Sequence, residues 1–225
     1  MAKQDTINLG DAVELRYSEL TAKVVMTLDD SIALSEALGR RILQLSPQPD
    51  MVIGLANGGT LPAIVAARSA GIACTIVRFR RKSSALKLRL KFLTGFLRYF
   101  PTIVNKVRNR LKYINLFQSN PHEFDEMHGL SNDDVSGRHV VIVDDCIDTG
   151  ASVARIRDNL LANGAASVQI AVICWATKYD SQALHNVTPD AYQHRIIHIY
   201  PWSLNNREYK RFTGWLVDQG QTLWT

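Results

Sequence analysis

The sequence predicts an α/β fold, a Rossmann-like parallel sheet with helices on both faces. Two observations carry this expectation. Short apolar runs, Met51–Ala56 and (after its first residue) His139–Val143, read as strands buried on both faces. Each is followed by a loop, a helical stretch and another apolar run, which is the alternation of βαβ units.

Taken in order, Ala22–Thr27 is a short β-like run. Asp29–Leu45 places Ile32, Leu34, Ala37, Leu38, Ile42 and Leu45 near the helical period, with Asp29, Asp30 and Ser31 as candidate N-caps. The two prolines of Ser46–Asp50 break that helix. Met51–Ala56 stops at Asn57-Gly58-Gly59, Thr60–Ala70 is helical with Gly71 as its C-cap, and Ile72–Phe79 is the next strand. In the second unit, His139–Val143 leads through an acidic loop into a helix reaching about Asn163, capped by Gly164. Val168–Trp175 is the following strand, and Ile196–Tyr200 is expected to add another before Pro201.

The chain has 225 residues and a net charge of +5, enough for one well-cored domain. No apolar run reaches the length of a membrane span. The opening MAKQDTINLGD holds no apolar leader segment. Cys74, Cys146 and Cys174 form neither an even framework nor a CxxC pair. These features point to a cytoplasmic protein with buried thiols.

The charge is uneven. Between Met51 and His122 stand 13 Lys and Arg and no acid, which leaves the rest of the chain at −8. The expectation is a single domain over 1–225 that carries a basic amphipathic helical insert at 80–118. Within it Leu86, Leu90, Leu93, Leu97, Phe100, Val104, Val107, Leu111 and Ile114 keep the spacing of one helical stripe. Pro101 divides the stripe into two helices, about 84–99 and 102–115. Lys87, Arg89, Lys91, Arg98, Lys106, Arg108, Arg110 and Lys112 occupy the other face. Such a segment can pack on the core or on a second copy in a homo-oligomer. Its basic face can instead meet an anionic membrane surface, which would make the protein peripheral to the membrane, or nucleic acid.

The chemistry concentrates in Val140–Ser152, VVIVDDCIDTGAS. Asp144 and Asp145 stand at the carboxyl end of a parallel strand, where α/β sheets bind ligands. Asp148, Thr149, Gly150, Ala151 and Ser152 lead into a helix, whose first amides, with two hydroxyls and a glycine, make a phosphate cradle. Carboxylates bind sugar hydroxyls or Mg²⁺. A phosphorylated sugar satisfies both halves.

This segment resembles the signature of the type I phosphoribosyltransferases: four apolar residues, two acids, two apolar residues, then D-T-G and a small or hydroxyl pair. The resemblance implies that Asp144 and Asp145 hold the ribose hydroxyls of phosphoribosyl pyrophosphate and Mg²⁺. Asp148–Ser152 would hold the 5′-phosphate, and Asp148 would be the catalytic residue that helps the base lose its proton.

Upstream, VIGLANGGTLPAIVAARSAGI resembles the family's pyrophosphate loop, Ala56, Asn57, Gly58 and Gly59 here. In relatives a basic residue precedes the glycine pair and follows a non-prolyl cis peptide. Asn57 takes the basic position without its charge, which implies weaker pyrophosphate binding or charge supplied from elsewhere, the basic insert included. Relatives also close a mobile loop over the site, and Asn115–Gly137 is its candidate here.

The C-terminal part is similar to the 6-oxopurine branch, whose C-terminal hood binds the base. The resemblance implies that Lys178 meets the oxo group of a small-molecule base acceptor. It also implies that Ile197, Tyr200 and Trp202 line the base site. Ile197 stands where relatives stack an aromatic ring, so the base site has diverged or Tyr192 or Trp202 supplies the ring. A rival reading is a non-catalytic regulator that senses phosphoribosyl pyrophosphate and binds nucleic acid through residues 84–116. A third is transfer to a non-purine, membrane-associated acceptor.

Overall fold

The computed structural model describes residues 22–79, 127–128, 130 and 132–223. The chain divides into two compact units, Met1–Arg78 with His128–Thr225, and Phe79–Met127. The described residues belong almost wholly to the first. The insert at 80–118, and most of the expected loop Asn115–Gly137, lie outside the described residues.

The first helix, α1, spans Leu28–Ile42. Its cap is Thr27, not Asp29, Asp30 or Ser31. The Thr27 hydroxyl accepts from the Asp30 amide at 3.1 Å, and the Asp30 carboxylate accepts from the Thr27 amide at 3.4 Å, a reciprocal capping box. Asp29 instead pairs with Arg211 at 2.8 Å. The helix stops at Ile42 rather than Leu45, because the amides of Gln44 and Leu45 fold back to Arg41 and Ile42 in tighter turns.

Strand β1, Met51–Leu55, is buried throughout. Helix α2, Thr60–Ala70, ends at Gly71, whose φ of 68° supplies the left-handed C-cap. Strand β2 is Ala73–Phe79 and β3 is Met127–His128. After a short helix α3, Asn132–Val135, strand β4 runs His139–Ile147. It outlasts the expected end at Val143 because its neighbour keeps pairing with it. That neighbour is β5, Ser167–Trp175, reached through α4, Ala151–Ala162; Asp144 registers with Val172, Cys146 with Cys174 and Ile147 with Trp175.

Helix α5 is Ser181–His185 and strand β6 is Ala191–His194. The last strand is therefore earlier than Ile196–Tyr200. Asp190 anchors it, its amide donating to the Ile170 carbonyl and its carboxylate accepting from the Ile170 amide, both at 2.7 Å. Ile199 instead makes one parallel bridge to Val25, and this is all the pairing that the Ala22–Thr27 run achieves among the described residues. Helix α6, Tyr209–Asp218, closes the described chain and buries Phe212 and Leu216 against Leu28, Leu61 and Val65.

The sheet order is β3-β2-β1-β4-β5-β6, and β2-β1-β4-β5-β6 are parallel throughout. On one face Val52, Val141, Val143, Ala171 and Ile173 pack with Leu34, Leu38 and Ile42 of α1 and with Ala63, Ala66 and Ala67 of α2. The alternate residues Ile53, Ile142, Ile170 and Val172 are also buried, and by strand alternation they point to the other face. Helix α4 packs on β4 and β5. The α1 and α2 backbones touch: a Cβ on Gly39 would lie 2.5 Å from the Ala66 carbonyl oxygen.

Candidate active site

The order of strands places β1 and β4 side by side at the centre, with Met51 opposite Val140 and Gly54 opposite Val143. Their carboxyl ends are the switch point of the sheet, and each strand emits one of the two expected loops there. After β1 the Ala56–Asn57 peptide is cis, as the resemblance implied. Gly58 and Gly59 follow, and the Ala63 amide then donates to the Gly59 carbonyl at 2.9 Å to start α2.

The glycine pair lies directly on the acid pair. A Cβ on Gly58 would sit 2.6 Å from the Asp145 carboxyl group. A Cβ on Gly59 would sit 2.8 Å from Asp144 Oδ1, 2.8 Å from the Val143 carbonyl and 2.7 Å from the Leu55 carbonyl. Only residues without side chains allow this approach.

Asp144 and Asp145 are partly buried. Withdrawal from water pushes both carboxyl groups above their usual range. For Asp144 the neighbouring Asp145 charge adds to the effect. The Asp145 amide donates to Asp144 Oδ1 at 2.9 Å, and the Trp202 indole N–H donates to Asp145 Oδ2 at 2.7 Å. The Asp145 carboxyl also takes hydrogen bonds from the Asp144 carboxyl and the Cys146 amide. That indole bond pulls Asp145 back toward ionisation.

Downstream, Gly150 adopts φ 84° and caps α4 with no side-chain hydrogen bond. A Cβ there would lie 3.0 Å from Val187 and 3.2 Å from Ser181. The Ala151 amide donates to the Thr149 hydroxyl at 3.4 Å. Asp148 Oδ1 is buried and meets no donor among the described residues. Ser152 lies in the first turn of α4.

The expected base-site residues fall in two places. Ile197, Tyr200 and Trp202 line a cavity of ≈ 260 Å³ together with Asp145, Cys146, Lys23 and His198. Tyr200 is 3% exposed; its ring stacks on Trp202 at 4.8 Å, and its hydroxyl lies 3.3 Å from His194 Nε2. Burial pushes His194 down to about 3, so this imidazole is neutral. Lys178 lines a second cavity, ≈ 320 Å³, with Trp175, Thr177, Tyr179, Asp180, Ser181 and Arg195.

Two features escape sequence reading. The Trp202–Asp145 bond spans 57 positions and has no local signature. Arg195 went unnoticed because the expected strand began after it. With β6 at Ala191–His194, Arg195 stands at the carboxyl edge of the sheet.

The phosphoribosyl transferase domain family matches residues 27–199, which hold both loops and the acid pair. The chain belongs to this family. The chain resembles several solved structures. One is the purine phosphoribosyltransferase of Pyrococcus horikoshii, 21% identical, with 80% of this chain and 94% of that chain covered at a TM-score of 0.51. Another is a hypothetical protein from Neisseria gonorrhoeae with bound ppGpp, 17% identical, covering 90% and 99% at the same TM-score. These likenesses concern the fold. A local match, 58% identical over 40 residues, links this chain to the DNA utilization protein YhgH of Escherichia coli strain K12; it covers 18% of each chain. Among the described residues no helix is long and apolar enough to cross a membrane.

Proposed function

We propose that the protein moves the 5-phosphoribosyl group from phosphoribosyl pyrophosphate to a ring nitrogen of a base, releasing pyrophosphate, with 6-oxopurines as the acceptor class. The contact of Gly58 and Gly59 with Asp145 and Asp144 carries this reading, because it joins a loop suited to pyrophosphate to acids suited to ribose.

In this mechanism the Asp144 and Asp145 carboxylates accept from the 2′- and 3′-hydroxyls. The loop amides at Gly58 and Gly59 face the leaving pyrophosphate, with Asn57 donating but bringing no charge. The 5′-phosphate sits in the Asp148–Ser152 loop at the start of α4. The C1–oxygen bond breaks and a C1–nitrogen bond forms through a transition state of oxocarbenium character, which the neighbouring carboxylates stabilise. The buried Asp148 Oδ1 takes the proton that the acceptor nitrogen gives up.

The donor set also fits Mg²⁺. No group of three or more His, Cys, Asp or Glu among the described residues is placed to hold a metal ion by itself, but Mg²⁺ is commonly held by one or two carboxylates plus substrate oxygens. Asp144 and Asp145 would hold it, and it would neutralise charge on the departing pyrophosphate.

The test is pyrophosphate release from phosphoribosyl pyrophosphate and Mg²⁺ over a panel of bases. A base-dependent release that Asp144→Asn with Asp145→Asn abolishes, without lowering the melting temperature, supports the reading. Asn57 favours a second one, a regulator that binds phosphoribosyl pyrophosphate without transfer. Binding by calorimetry with no release from any base selects it.

A further inference from the structure

The ≈ 320 Å³ cavity brings two cations together, Lys178 from the turn after β5 and Arg195 from the end of β6. The Arg195 guanidinium lies over the Trp175 ring at 3.9 Å from its centroid and 5.7 Å from that of Tyr192. Those two rings meet edge to face at 5.3 Å. The Trp175 indole N–H donates to the Ser181 hydroxyl at 3.1 Å, which donates to the Val187 carbonyl at 2.8 Å. The platform under Arg195 is thus fixed. Arg195 Nε is buried and has no acceptor, and no carboxylate pairs with Arg195 among the described residues. The Lys178 ammonium lies 4.9 Å from the Tyr179 ring centroid. The acid of the cavity, Asp180, spends Oδ1 on the Ala183 amide as the cap of α5. Ser181, one wall of the cavity, is also the residue that a Cβ on Gly150 would touch. The cavity therefore adjoins the Asp148–Ser152 loop.

We propose that Arg195, held on Trp175 beside Lys178, selects an acceptor that carries a negative charge. The aromatic faces already hold cations, so they position charge rather than stack a neutral base. A fixed guanidinium without a carboxylate is a ready partner for an anionic edge. The acceptor is an anionic nitrogen heterocycle, either a carboxylated ring or an oxopurine ionised near neutral pH. This rests on the phosphoribosyl transfer proposed above.

Calorimetry on the full-length protein, with and without phosphoribosyl pyrophosphate and Mg²⁺, tests it with matched pairs: nicotinate against nicotinamide, orotate against uracil, xanthine against hypoxanthine. The charged member of at least one pair should bind tenfold or more tighter, and which pair responds separates the carboxylated ring from the ionised purine. Arg195→Gln should remove that preference while leaving the neutral member, the affinity for phosphoribosyl pyrophosphate and the melting temperature unchanged. Arg195→Lys should restore part of it. Equal binding within every pair, no binding of any probe, or a preference that survives Arg195→Gln would overturn the inference. Failure of phosphoribosyl pyrophosphate to bind, with the charge preference intact, would remove the proposed transfer and leave the anion pocket standing.

Discussion

Trp202 reaches across 57 positions to hold Asp145, its indole N–H donating to Oδ2 at 2.7 Å. The indole is itself fixed between Tyr200, stacked at 4.8 Å, and Phe212 at 5.8 Å. The C-terminal turns and α6 therefore help to hold the charged form of an acid on the central strand, against the burial that raises its pKa.

Trp202→Phe keeps an aromatic ring for those contacts and deletes the N–H. Burial already raises Asp145, and the indole bond opposes it, so the variant's Asp145 should ionise only at higher pH. The acid limb of binding for phosphoribosyl pyrophosphate should move to higher pH, with affinity on that limb down roughly tenfold, the scale of one hydrogen bond to a charged group. Calorimetry across pH checks this, and an unmoved limb would mean that the indole does not govern Asp145.

Asp144→Asn should stabilise the fold while disabling the site. The folded-state pKa of Asp144 is raised by burial and by Asp145. Below the unfolded pKa the carboxyl is protonated in both states and costs nothing. As pH rises through the folded pKa, ionisation of the buried group subtracts stability. Asparagine escapes this and keeps an oxygen for the Asp145 amide. A gain of about 1 kcal/mol, roughly 2–4 °C at this size, is expected near neutral pH and should fade in acid. Affinity for phosphoribosyl pyrophosphate should fall tenfold or more. Melting curves at several pH values read the first effect and calorimetry the second.

The two glycines should fail differently. Alanine at Gly58 meets first the Asp145 carboxyl group, which belongs to a side chain and not to the backbone. Gly58→Ala should fold normally and lose ligand binding. Alanine at Gly59 meets backbone carbonyls of both β1 and β4, which cannot move without breaking the ladder. Gly59→Ala should cost about 1–3 kcal/mol, read as a lower midpoint in urea.

Asn57→Lys restores the charge that the family carries before its glycine pair. Affinity for pyrophosphate should rise several-fold, with a steeper salt dependence. Lost binding with a normal melting curve would show that the loop has been rebuilt around asparagine.

The parallel core was legible because β1, β4 and β5 are buried on both faces and so read as unbroken apolar runs. The glycine and acid loops were legible because their spacing is local. Other features depend on partners distant in sequence. Thr27 is the cap because its extended backbone and its reciprocal bonds with Asp30 start the helix at Leu28, while Asp29, inside the first turn, pairs with Arg211, 182 positions away. The last strand was misplaced because Ala191–His194 reads A-Y-Q-H and is half polar, while Ile196–Tyr200 looks more strand-like. Its true position depends on Asp190 bonding back to Ile170. That error hid Arg195, whose significance lies in stacking on Trp175 across 20 positions.

The close approach of α1 and α2 at Gly39 works as a mechanical linkage. Helix α2 begins immediately after the glycine loop, and its far half bears on α1 through Ala66 and Ser69. A side chain at position 39 would push α2 away from α1, and a stiff rod pushed at one end carries its other end with it. The reading head of that rod is Asn57–Gly59. The placement of that loop is therefore set partly by a methyl group's worth of space at Gly39, in the neighbouring helix.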